Sequence, residues 1–78
     1  PRDTVDDVAA ILTHELGLAV AVDTTLLLDI ARDVAREVAR PAAPVSTAVV
    51  GAALANGLDS EEIKAGVARA IECWKARV

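Results

Sequence analysis

Seventy-eight residues with a formal charge of −4 make one small domain and argue against general nucleic-acid binding, which rests on Lys and Arg neutralising phosphates. The single cysteine, Cys73, excludes an internal disulfide, and the composition has no secreted character, so a reducing cytoplasm is expected. Aromatic residues are only 1% of a chain that is 54% hydrophobic; an alanine- and valine-rich core must draw its helices close or borrow area from a partner, because at this length burial at ~25 cal/mol per Å² nearly cancels ~1.5 kcal/mol per residue of chain entropy.

The chain opens at Pro1 without methionine, as a processed or trimmed chain would, and no basic segment followed by an apolar run marks a signal peptide. Thr4 followed by Asp7 reads as an acidic variant of the capping box. Val5, Val8, Ala9, Leu12 and Leu16 then fall on one helical face, and Gly17 supplies a left-handed stop, predicting a first helix over 5–16. "LAVAV" follows as an extended connection. Asp23 is the next N-cap candidate, and Leu27, Ile30, Ala31, Val34, Ala35 and Val38 form a wide apolar stripe. Pro41 disfavours helix in the residue before it, so the second helix is predicted over 24–39.

Between Arg40 and Asp59 the chain carries no charge. A bilayer span needs about 20 predominantly apolar residues. Here Pro41, Pro44, Ser46, Thr47, Gly51, Asn56 and Gly57 interrupt the run, and only 45–55 is helical and apolar enough, which suits a buried helix rather than a membrane segment. Pro44 fits a first turn, so a third helix is predicted over 44–55, ending at Asn56-Gly57. Its apolar residues point all round, as in a helix central to a bundle or at an interface. Asp59 or Ser60 caps a fourth helix over 60–77, with Glu61 and Glu62 in its first turn and Lys75 and Arg77 in its last. Ile63, Val67, Ala70, Ile71, Trp74 and Val78 make its stripe. The expected fold is all-α: one compact, four-helix, bundle-like domain over 1–78 with short connections.

Strong chemical motifs are absent. His14, the only histidine, projects opposite the first stripe, and one His with one Cys falls short of the three or four ligands a zinc site needs, so no metal and no cofactor are expected. Cys73 lies at the edge of the fourth stripe with no basic partner to lower its pKa, as a half-buried packing cysteine would. "GLDSEEI" differs from the phosphopantetheine run of acyl carrier proteins: Ser60 opens the last helix and two glutamates follow it, a pattern that capping explains. On the second helix, Asp29–Arg32, Asp33–Arg36 and Glu37–Arg40 are i,i+3 pairs worth ~0.2–0.5 kcal/mol each, the mark of a self-paired solvated face.

The candidate site is the junction of the second and third helices. Three of the four helix starts hold carboxylates that complement their dipoles, whereas the third has none. Its first turn is expected to present free N–H groups beside the hydroxyls of Ser46 and Thr47, with Arg40 just before it and Arg36 one turn earlier. Such donors suit an anion. The competing reading is that a buried helix start stays uncharged and Arg40 merely caps the second helix.

The stretch "LLLDIARDVAREVARPAAPVST" resembles a small bacterial helical domain of unknown function, found alone or at the C-terminus of molybdenum cofactor guanylyltransferases. Asp29, Asp33, Arg40, Pro41, Ala42, Ala43, Pro44, Ser46 and Thr47 match its pattern, and Arg36 stands near a histidine position of that pattern. The resemblance covers roughly the middle half of the chain. It implies an accessory role in molybdenum cofactor maturation by association; nucleotide transfer belongs to a separate domain whose glycine-rich loop this chain lacks. The expected function is thus a non-enzymatic accessory or protein-interaction module, with a second copy of itself or a guanylyltransferase domain as partner and neither nucleic acid nor membrane. The alternative is a small binding domain for a phosphate-bearing nucleotide or pterin, using Arg36, Arg40, Ser46 and Thr47. A stand-alone enzyme ranks third, since no general base has a positioned nucleophile beside it.

Overall fold

A computed structural model describes residues 2–19 and 22–77, with the side chains of Arg2 and Asp3 excepted. Four helices follow in order, α1 (Arg2–Glu15), α2 (Thr24–Glu37), α3 (Ala42–Ala55) and α4 (Ser60–Arg77), with no strand among the described residues. The all-α, four-helix fold is the one expected. Val20 and Ala21 of "LAVAV", and Val78 of the last stripe, lie outside the described residues.

Most helix ends follow the local chemistry. Gly17 (φ 68°) and Gly57 (φ 91°) take the left-handed conformation that favours glycine. Each closes a Schellman motif. Leu18 N–H donates to Thr13 O and Gly17 N–H to His14 O after α1, and Leu58 N–H donates to Ala53 O and Gly57 N–H to Leu54 O after α3. Asp23 caps α2, its carboxylate accepting from Leu26 N–H at 3.0 Å. Asp59, not Ser60, caps α4: its carboxylate accepts from Glu62 N–H (2.8 Å) while its own N–H donates to Glu62 (3.0 Å). This is a reciprocal capping box.

Boundaries differ from expectation in α1 and at the α2–α3 connection. α1 already runs from Arg2, so Thr4 and Asp7 lie inside it rather than capping it. α2 stops at Glu37 and α3 starts at Ala42, two residues early at each side. The cause is a tight connection: Val38 and Ala39 N–H both donate to Val34 O, then Ala42 N–H donates to Ala39 O and Ala43 N–H to Arg40 O. Pro41, in helical dihedrals (φ −64°, ψ −17°), is the N-cap, and Pro44 sits at the third helical position.

The core gathers around α2. Leu26, Ile30 and Val34, spaced by four, are buried with Val50 of α3 and Ile63 of α4. Val38, Leu54, Val67 and Ile71 pack around them. Each full burial contributes about 1.5–3 kcal/mol. A second, weaker tie joins α2 to α4 at the surface, an ion pair from Lys75 Nζ to Glu37.

α1 departs from the pattern its stripe suggests. Its half-buried residues are Ala9 and Thr13, and Thr24 Oγ1 at the head of α2 donates to Asp6 at 2.6 Å. That contact side is centred about 80° around the helix from the stripe and shares only Ala9 with it, at 3.6 residues per turn. Val8, Leu12 and Leu16 therefore face outward, at 48%, 54% and 68% exposure. α3 is likewise no buried helix: only Val50 is fully covered, while Val45 and Val49 are 65% and 66% exposed. Cys73 is exposed rather than half-buried. The common reason is that α1 leans on the start of α2 and leaves the α3–α4 side of the three-helix body open. Among the described residues no helix is long and apolar enough to cross a membrane.

Candidate functional site

The four residues proposed at the α2–α3 junction have separate surroundings. Arg36 is exposed, lies 3.6 Å from Asp33 and lines a cleft between α2 and α4. Ser46 faces the other side of α2, into an apolar groove. Thr47 Oγ1 donates to Pro44 O at 2.9 Å. Arg40 stands exposed on the connecting turn, without the i,i+3 partner expected for it, because Glu37 reaches across to Lys75 instead.

The head of α3 lies at Ala42 rather than at Pro44, which changes the amides of its first turn. Pro41 and Pro44 have no N–H, and the N–H groups of Ala42 and Ala43 are bonded to Ala39 O and Arg40 O. Two amides of the usual anion cup of a helix start are therefore taken up by the turn, and two positions have none to give. Uncharged residues at this end need no ligand to explain them.

The α2–α4 cleft carries acids and bases in equal number. Asp29–Arg32 (3.5 Å) and Asp33–Arg36 form as the spacing predicts. The hydrogen bond and charge of Lys75 hold the Glu37 carboxyl below its usual range, and Glu37 in turn raises Lys75. Charge thus cancels along this cleft. Among the described residues no three His, Cys, Asp or Glu side chains gather as a metal site, and His14 is exposed.

The feature that sequence reading did not locate is the apolar groove. Val34 and Val50 form its floor, Val45 and Val49 of α3 one wall, Ala70 and Ile71 of α4 the other, and the cavity measures about 250 Å³. A signal for it was present: α3 has no polar face at all, so whatever side the core does not use must end up apolar and exposed.

A family described as "Domain of unknown function (DUF6457)" matches residues 1–78. The chain belongs to this family. Membership extends to α1 and α4, beyond the middle segment that carries the sequence resemblance, so all four helices of this DUF6457 chain fall within the family's domain. No curated protein and no solved structure matches the chain.

Proposed function

We propose that this domain is a non-enzymatic accessory module that acts by protein interaction, through the aliphatic surface that α1 and the α3–α4 groove present. The observation that supports it is the exposure of large aliphatic side chains, Leu12, Leu16, Val45 and Val49 each more than half open, on a chain whose core is small. Large aliphatic side chains exposed in groups, rather than singly, mark interaction surfaces. The sequence resemblance supplies a candidate partner, a molybdenum cofactor guanylyltransferase domain, and with it a place in that cofactor's maturation in the cytoplasm. The phosphate-ligand reading keeps one supporting observation, Arg40 with no ion pair at the junction.

An amide NMR titration separates the two. With the guanylyltransferase domain added, shifts or broadening on α1, α3 and α4 are expected. Absence of any change at millimolar partner would sink the interaction reading with that domain. Saturable shifts with GMP or GTP confined to residues 40–48, and lost in Arg40→Ala, would put the anion reading in its place.

A further inference from the structure

We infer that the occupant of the α3–α4 groove is α1 of a second copy of this chain, in a reciprocal dimer in which each copy gives its first helix and receives its partner's. This deepens the interaction reading and rests on it. Two observations converge.

The first is area. A folded monomer of 8.1 kDa has an accessible surface of about 4,500 Å² by the usual mass scaling. This chain exposes 5647 Å², an excess of about 1,100 Å², where a stable interface takes about 800 Å² from each partner. The radius of gyration, 13.3 Å, likewise exceeds the ~11.5 Å expected at this length.

The second is fit. The donor surface, Val8, Leu12 and Leu16, is a ridge of larger aliphatics at helical spacing. The receiving groove is lined mostly by valine and alanine, whose short side chains leave room for the longer leucines of the ridge. This is the arrangement of an amphipathic helix in a groove. Each surface is useless to its own chain, because α1 already rests on the far end of α2. A two-fold pairing satisfies both at once.

Sedimentation or light scattering across a concentration series tests this, using wild type, Leu12→Glu on the ridge and Val49→Glu on the groove wall. Both positions are more than half exposed, so the far-UV circular dichroism of each variant should match wild type. A dimer is expected for wild type, and each variant alone should raise the dissociation constant at least about tenfold. Mixing the two variants restores one intact contact, the ridge of the Val49→Glu copy in the groove of the Leu12→Glu copy, so dimer should reappear in the mixture. A wild type monomeric at about 1 mM overturns the proposal. So does a dimer that the mixture fails to restore, since the ridge then meets a ridge. If the chain is monomeric yet binds the guanylyltransferase domain, the second-copy proposal falls and the interaction reading stands.

Discussion

Asp23→Ala should be the most damaging substitution of a single exposed side chain in this domain. Its carboxylate is the side-chain cap of α2, accepting from Leu26 N–H, and α2 has no acid in its first turn to replace the lost charge at the dipole. The cap is worth about 1 kcal/mol and the charge roughly 0.5 kcal/mol. With an unfolding entropy of about 2.1 cal/mol/K per residue, 78 residues give about 160 cal/mol/K, so a loss of about 1.5 kcal/mol lowers the midpoint by about 9 °C. Asp23→Asn keeps the hydrogen bond and loses only the charge, for about 3 °C. Asp59→Ala falls between them, near 6 °C by the same arithmetic, because Glu61 and Glu62 remain in the first turn of α4. Thermal unfolding followed by circular dichroism, at one fixed protein concentration, reads all three. If Asp23→Asn is as harmful as Asp23→Ala, or Asp59→Ala more harmful than either, the division between cap and charge is wrong.

Two further outcomes follow from the core and its surface clamp. Ile30→Ala removes the middle of the α2 row and should cost about 2–5 kcal/mol, a large share of the about 4–12 kcal/mol total for a chain of this length, so the urea midpoint should fall sharply; an unchanged midpoint would refute the placement of the core. The Glu37–Lys75 pair contributes at intermediate pH. Glu37, held low in the folded state, contributes above its ordinary carboxylate value and loses that contribution as pH falls through the folded value. Lys75, held high, contributes below its ordinary value and loses that as pH rises through the raised one. Lys75→Met should therefore flatten both limbs of the urea-midpoint profile, by a small and salt-sensitive amount; a profile of unchanged shape would show the pair to be energetically idle.

Local signals carried most of the fold because they are short-range. Gly17, Asp23, Gly57 and Asp59 each act within four residues, and each terminates or starts a helix where its chemistry indicates. What the chain did not disclose in one dimension depends on which helices meet. The stripe of α1 is a sound helical pattern, yet periodicity cannot say whether its partner is α2, another helix or another molecule. For the same reason Val45 and Val49 read as core, and the groove they border was legible only as an absence of polar residues on α3. The geometry of the junction was less legible: Arg36 and Ser46 are near in sequence but lie on opposite sides of α2, and the Ala42 and Ala43 amides are spent on a turn that moves the head of α3 two residues forward of Pro44.

Among the described residues, α1 contributes none of the five buried side chains of the core. The residues that decide whether the domain folds therefore sit on α2, α3 and α4, and those of the α1 ridge are not held by that requirement. Exchanging one aliphatic for another at Val8, Leu12 or Leu16 changes the shape offered to a neighbour at little cost to the three-helix body. If the proposed pairing holds, the ridge's half of the contact is free to vary by substitution, whereas the groove's half is tied to the core residues Val34 and Val50 that line it.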